Sequence, residues 1–525
     1  MRPARGITAV MVLLCALLVA GCGGSRGGDD DDGALRVLAG SELKDVQPLL
    51  EQLEEDTGVK LELEFTGTLE GAERLAQGEK PAMAWYPSSR YLDLLTRDGP
   101  NQPVASERTM VSPVVIGVKR SVARRFGWDG GAQVTWRDIA DKAQAGAFKF
   151  GMTNPAASNS GFSALVGVAS AFAGTGNALT SSDIDKPALK EFFKGQTLTA
   201  GSSGFLADAY VRDQGKLDGI VNYESVLLSL NAQKKLREPL ELIYPRDGIV
   251  TADYPLLLTD PAHRADWEKV RDWLRRPETQ KRLMETTARR PILPQVRPDR
   301  RFPTTPLVEL PFPASRKVVD DLLIAYLDEI RAPAHAIFVL DLSGSMAQPG
   351  RLEGLKNALR NLTGADRSAT GRFARFRRRE RITMITFSSA VRDERDFTVD
   401  SNDAQSATLA RIRDHVDGFR ADGGTAIFSA TKAAYAVAAR DRVKDKGYAT
   451  SIVVMTDGEN NEGVRLDELL GTIPGEVRGV KTFAIKFGEA GQDELERMAT
   501  STGGAVFDAT GSGLAKAFKE IRGFQ

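Results

Sequence analysis

Apolar and polar positions alternate with two different periods along this chain. Residues 35–39 form a short apolar run that ends in Gly40-Ser41-Glu42. Leu43, Val46, Leu50 and Leu53 then fall on one face of a helix that Gly58 stops. Val59, Leu61, Leu63 and Phe65 alternate strictly with Lys60, Glu62 and Glu64, the pattern of a half-buried strand. Strand, helix and strand make a βαβ unit with small hydroxyl residues where the strands end. Further on, residues 336–340 and 452–455 are unbroken apolar runs, which suit strands buried on both faces of a parallel sheet. Residues 382–387 and 482–487 are strand runs too, and Leu352, Leu355, Leu359 and Leu362 keep helical spacing. The expected fold class is α/β, doubly wound.

Composition narrows the function. At 525 residues the chain exceeds one ordinary core, so about two to four domains are expected. Hydrophobic residues at 42% and charged residues at 27% are values of a folded globular protein. Lys+Arg and Asp+Glu are both 70, which gives no electrostatic case for nucleic acid. The 2 cysteines, Cys15 and Cys22, precede the folded part, which therefore has no disulfide, thiolate nucleophile or cysteine metal site. With 3 histidines, His263, His335 and His415, a histidine zinc centre or catalytic triad is not expected. No general base is paired with a nucleophile, so the chain reads as a non-enzyme.

Residues 1–22 read as a targeting segment. Arg2 and Arg5 precede an apolar stretch at 10–19 that is too short for a comfortable membrane span. The segment ends Val19-Ala20-Gly21-Cys22, which resembles the bacterial lipobox. That resemblance implies cleavage before Cys22 and lipidation of the cysteine, palmitate among its acyl chains. The protein would then be lipid-anchored in the cell membrane, facing the extracytoplasmic side. Residues 23–34, with Asp29, Asp30, Asp31 and Asp32 among glycine and serine, read as a solvated spacer.

The strongest chemistry sits at a strand end. The run 336–340 stops at Asp341-Leu342-Ser343-Gly344-Ser345, one carboxylate and two hydroxyls from a single turn. Ligands of open α/β sheets bind at the carboxyl ends of strands, and an all-oxygen set suits a hard cation, Mg²⁺ before Zn²⁺. Asp422-Gly423-Gly424-Thr425 supplies a loop threonine, and the run 451–456 ends in Asp457. Asp-x-Ser-x-Ser, then Thr, then Asp resembles the metal-ion-dependent adhesion site of von Willebrand factor A domains. The resemblance implies that Asp341, Ser343, Ser345, Thr425 and Asp457 bind Mg²⁺ (or Mn²⁺ or Ca²⁺). It also implies a protein partner that offers an Asp or Glu to the metal.

The first half carries a more diffuse set of signatures: residues 110–119, Thr135-Trp136-Arg137-Asp138, residues 150–155, Ser158-Asn159-Ser160-Gly161, residues 219–225 and Asp253-Tyr254-Pro255. Together they resemble type 2 extracellular solute-binding proteins, the receptors of ATP-driven importers. The resemblance implies two doubly wound lobes around a cleft, with one lobe on both sides of the other and crossings near Ile116 and at 242–245. The candidate ligand set is Ser41, Thr66, Thr68, Ser88, Ser158, Ser160, Asn222 and Tyr223. It holds no arginine, so a small solute or oxyanion would rest on neutral donors and helix N-termini.

Prolines cluster from Pro291 to Pro313, which suggests a semi-extended linker. Val319, Leu322, Leu323, Tyr326 and Ile330 then mark a helix. The basic run from Arg372 to Arg381 reads as a solvated loop, with lipid headgroups as its second reading. The domains expected are 1–22 leader, 23–34 spacer, 35–294 a two-lobed periplasmic-binding-protein-like domain, 295–332 linker and helix, and 333–525 a doubly wound, Rossmann-like von Willebrand factor A domain. The expected function is a cell-surface binding protein that takes a partner through its metal and a small ligand in its cleft. The alternative is an importer receptor whose second domain docks. Nothing in the linker demands contact between the domains, so tethered, independent modules are expected.

Overall fold

Three sheets organise the chain in a computed structural model that describes residues 33–525 except 304–305, 445–446, 489–490, 510–512 and 525. The leader, Cys22 and most of the spacer lie outside the described residues. The first sheet contains β1 (Leu35–Gly40), β2 (Leu61–Thr66), β3 (Met83–Trp85), β4 (Ala105–Arg108) and, from much later in the chain, β11 (Pro255–Leu258), in the order β2-β1-β3-β11-β4. The second contains β5 (Ser112–Lys119), β6 (Phe150–Thr153), β7 (Gln196–Ala200), β8 (Gly219–Tyr223), β9 (Leu240–Ile243) and β10 (Thr251–Ala252), in the order β10-β5-β8-β6-β7 with β9 also on β5. These are two lobes, and the first flanks the second in sequence as expected.

The crossings differ from the expected places. The chain passes between lobes at 109–111, between β4 and β5, and at 253–254, between β10 and β11. Ile116 lies mid-strand in β5, paired with Val221 of β8 and Ile243 of β9, so that run is the middle of a sheet and cannot bend. Residues 242–245 finish β9 on the same lobe.

The third sheet holds β12 (Ala334–Asp341), β13 (Arg381–Phe387), β14 (Val391–Thr398), β15 (Ala449–Thr456), β16 (Lys481–Lys486) and β17 (Val506–Asp508), in the order β14-β13-β12-β15-β16-β17. All pairs are parallel except β13 with β14. β12 is buried along its whole length because both faces are covered. Phe338 and Leu340 pack on one side beneath helices Arg351–Arg360, Ala407–Asp417 and Leu514–Arg522. Ile337 and Val339 pack on the other beneath Ile427–Lys444, Leu466–Thr472 and Gln492–Ser501. That is why the run shows no alternation.

The domains are not independent modules. From Leu35 on, the chain forms one compact unit. The proline-rich stretch lies against the second lobe: Ile249 and Glu309 form a bridge, Leu310 is buried, and Phe312 packs edge-on against Phe162. Helix Arg316–Ala325 and the wider turn Tyr326–Ile330 then brace both domains, with the Tyr326 ring against Phe193 and its hydroxyl donating to Gln196 Oε1.

The arginine run is likewise not a solvated loop. Arg377 is 2% exposed and forks onto Asp328 of the brace through Nε and Nη2. The run turns Glu380 inward, where it accepts from Arg331, from Arg522 at 2.7 Å and from the Arg377 N–H at 3.0 Å. Side-chain exposures there are 2% for Glu380, 7% for Arg331 and 6% for Arg522. Burial alone would raise the Glu380 carboxyl, but Arg522 and Arg331 hold it below the ordinary value of 4.5. Arginine density reported charge, while only the fold reveals the carboxylates that absorb it.

Removing one partner of a buried pair costs about 3–5 kcal/mol, so Glu380→Ala should lose about that much in urea unfolding. Because the folded carboxyl lies below 4.5, the contribution is present above pH 4.5 and is lost as pH falls through its folded value. The variant's acid limb should therefore flatten relative to the parent.

Candidate functional site

A cavity of about 420 Å³ lies where the two lobes meet. Ser41 and Glu42 reach it from the end of β1, Thr66 and Thr68 from the end of β2, and Ser158 and Asn159 from the turn after β6. The lobes nearly touch, since a Cβ on Gly67 would lie 3.0 Å from the Ala157 carbonyl. Thr66 Oγ1 is 2.7 Å from Tyr86 Oη, and Ser158 Oγ is 3.3 Å from Ser160 Oγ. Thr68 is 5% exposed, and its hydroxyl has no hydrogen-bond partner among the described residues.

The other four expected residues lie off the cavity wall. Ser88 accepts from the Arg90 N–H in the turn before helix Arg90–Thr96. Ser160 sits behind Ser158, bonded to Thr153 and Ser203. Asn222 donates to the Ser203 carbonyl, and the Tyr223 hydroxyl accepts from Asn159. Ser160 and Tyr223 hold in place Ser158 and Asn159, which do reach the cavity.

Glu42 also lines the cavity, and an acid directly after Ser41 is its signal in the sequence. Ser203 Oγ donates to Glu42 Oε1 across the lobes at 3.3 Å. Burial pushes the Glu42 carboxyl up, against its own backbone hydrogen bond and Arg289. Behind the cleft two adjacent arginines serve opposite lobes: Arg289 binds Asp45 and the Glu42 carbonyl, and Arg290 forks onto Glu224. Phe373, Lys516, Glu520 and Phe524 also line the cavity, and they come from the domain of the third sheet. No local pattern in the sequence signals them.

The second candidate site is at the carboxyl edge of the third sheet. β12 ends in Asp341, whose Oδ1 accepts from the Ser343 N–H at 2.7 Å and whose Oδ2 accepts from Thr456 Oγ1 at 2.6 Å. Ser343 Oγ is 3.0 Å from Ser345 Oγ, which donates to Asp457 Oδ1 at 2.8 Å. Gly344 N–H donates to the Gly423 carbonyl, which fixes the loop carrying Thr425 against the first turn. An ideal Cβ on Gly458 would lie 3.7 Å from Ser345 Oγ and 3.8 Å from Thr425 Oγ1, so these two hydroxyls face one point. All five expected residues thus converge.

Burial pushes the Asp341 carboxyl up, with its hydrogen bonds to Ser343 and Thr456 opposing. Arg351 Nη1 donates to Asp457 Oδ2 at 2.6 Å, a contact sequence reasoning missed. Among the described residues no group of three or more His, Cys, Asp or Glu forms a metal-type cluster. The set here is two carboxylates and three hydroxyls, an oxygen-only donor set that fits a hard divalent cation and not a soft one.

The comparisons follow the same division. Residues 35–286 match the family model described as bacterial extracellular solute-binding protein, and residues 336–520 match that of the von Willebrand factor type A domain. The chain is therefore an α/β protein that joins an extracellular solute-binding domain to a von Willebrand factor A domain. No curated protein matches it. Solved structures similar to it include the periplasmic binding protein AfuA from Actinobacillus pleuropneumoniae with exogenous fructose-6-phosphate bound (14% identity, 57% of this chain and 98% of that one, TM-score 0.42). A ferric binding protein from Campylobacter jejuni is another (16%, 55% and 96%, TM-score 0.41). A third is a von Willebrand factor type A protein from Catenulispora acidiphila (18%, 37% and 42%, TM-score 0.30).

Gly161 positions the cleft turn. A Cβ there would lie 2.3 Å from the Thr153 carbonyl, because helix Asn159–Ala173 packs its first turn on the end of β6. Gly161→Ala should cost about 1–3 kcal/mol in urea unfolding, the usual cost of overpacking.

Proposed function

We propose that this chain is a lipid-anchored extracytoplasmic binding protein whose von Willebrand factor A domain captures a protein partner through a Mg²⁺-type site, while its cleft takes a small solute. Both matched domains are binding modules, and no catalytic step is assigned. Among the described residues no helix is long and apolar enough to cross a membrane, and the proposed attachment is through Cys22. The observation that carries the reading is the convergence of Asp341, Ser343, Ser345, Thr425 and Asp457 at one sheet edge.

Those five residues would hold the ion, which when bound supplies a coordination position for a partner's carboxylate. The chain's own part is orientation. Thr456 and the Ser343 N–H fix Asp341, Ser345 fixes Asp457, and Arg351 offsets part of the Asp457 charge. The edge also lies away from the solute domain. The sheet's polar contacts with the solute domain are made near the opposite edge, by Lys481 at the start of β16 and by the Gly503 carbonyl just before β17, while Phe507 within β17 packs its ring on Phe205. The eight residues of β12 separate the two edges by roughly 23 Å at about 3.3 Å per residue.

A second reading, an importer receptor, is favoured by the match over residues 35–286. Partner capture from membranes in Mg²⁺, lost in chelator, separates the two.

Calorimetry should detect Mg²⁺ or Mn²⁺ binding that Asp341→Ala abolishes with circular dichroism unchanged; retained binding would show that the site lies elsewhere. On fractionation, Cys22→Ser should move the protein from membranes to the soluble fraction, and a variant still firmly membrane-bound would refute the anchor.

A further inference from the structure

The third wall of the solute cavity belongs to the other domain. Helix Leu514–Arg522 is seated on one side by Arg522, bonded to Glu380, and by Leu514, Phe518 and Ile521 in the core. Its other side meets the lobes. Asn154 Nδ2 donates to the Arg522 carbonyl, and a Cβ on Gly523 would lie 2.9 Å from Gly201 Cα and 3.1 Å from Ala157 Cβ. Phe205 of the second lobe packs on Phe524 at 5.5 Å between ring centroids. Thr370, on the same domain, binds Glu73 of the first lobe through both its N–H and its hydroxyl at 2.9 Å. The domain therefore grips both lobes and leaves the cavity between them.

The chemistry facing that cavity is divided. Lys516 and Glu520 are four residues apart on one helix face and both line it. Neither forms an ion pair among the described residues. Opposite them are Lys44, Glu42 and Glu70 from the first lobe, the open hydroxyl of Thr68, and the start of helix Asn159–Ala173. Burial pushes the Glu520 carboxyl up, Glu70 adds to the push, and Lys516 and Lys44 oppose it, so the charges of the two domains share one field. Phe65, Phe373 and Phe524 supply apolar walls. Ammonium groups and a helix N-terminus suit a carboxylate, and carboxylates beside aromatic rings suit an ammonium.

We propose that the solute site is a three-walled chamber in which Lys516 and Glu520 of the von Willebrand factor A domain contact the ligand directly, and that the ligand is a small zwitterion with an apolar body, of dipeptide size. This rests on reading the cleft as a solute site. A volume of about 420 Å³ lies within the range of small-molecule pockets.

The probe is dileucine, titrated calorimetrically into the full-length protein beside its C-amidated and N-acetylated forms. Lys516→Ala should weaken the free dipeptide about tenfold, the loss of one charged hydrogen bond, and should leave the amidated form unaffected. Glu520→Gln should do the same with the N-acetylated form as the insensitive one. Thr68→Val tests the cleft itself. If Thr68→Val weakens binding while both helix variants match the parent, the third wall is refuted and the solute reading stands. If either helix variant weakens all three probes equally, its effect is structural and direct contact is refuted. If the parent binds none of the probes at millimolar concentration, the proposed ligand class falls, and this proposal with it.

Discussion

One buried carboxylate fixes how this chain is assembled. Glu380 sits 2% exposed between Arg331, at the end of the brace, and Arg522, on the last helix, with the Arg377 N–H on its remaining lone pairs. An ionised carboxylate is tolerated there only because two guanidiniums meet it. The converse also holds, since each guanidinium would otherwise be buried without its acid. The network therefore ties three distant segments to one point: the linker's end, the arginine run and the C-terminal helix. Asp328 extends it by binding Arg377 and Asn402.

That tie sets the position of everything the last helix touches. With Arg522 held, Gly523 and Phe524 fall against Gly201 and Phe205, and the amino edge of the third sheet comes down on the solute domain. Phe373 joins the core of the lobes, and Phe524 packs partly on the second lobe. The carboxyl edge is left free for other contacts. A mostly parallel sheet whose central strands are buried on both faces makes a stiff spacer between a docked edge and an open one.

Strand ends carry both candidate sites for the same reason. At the end of a buried strand the backbone leaves the ladder, and short side chains such as Ser41, Thr66, Asp341 and Asp457 can turn toward a ligand or toward the freed N–H groups. In the cleft, hydroxyls that do not reach the cavity take the supporting role: Ser160 bridges Thr153 and Ser203, and Tyr223 holds Asn159.

Sequence alone determined the elements and the strand-end chemistry. Unbroken apolar runs identified β12 and β15, and the acids that close them lie within a few residues of each run, so local periodicity was enough. The five oxygen donors were legible because each sits at a strand end or in the turn or loop beside one, where its own neighbours mark the position. The tertiary structure decided what is not local. It set the crossings at 109–111 and 253–254, since a run such as β5 does not reveal whether it bends or pairs on both sides. It placed Ser160, Asn222 and Tyr223 behind the cavity wall, because a hydroxyl's address depends on which lobe packs over it. It buried Arg377 of the arginine run, whose partner Asp328 comes from the distant brace. It also brought Lys516 and Glu520 to a cleft built more than three hundred residues earlier, a contact like that of Asn154 with Arg522, 368 positions apart. Side chains that far apart meet only once the cores have packed, and no spacing along the chain encodes the meeting.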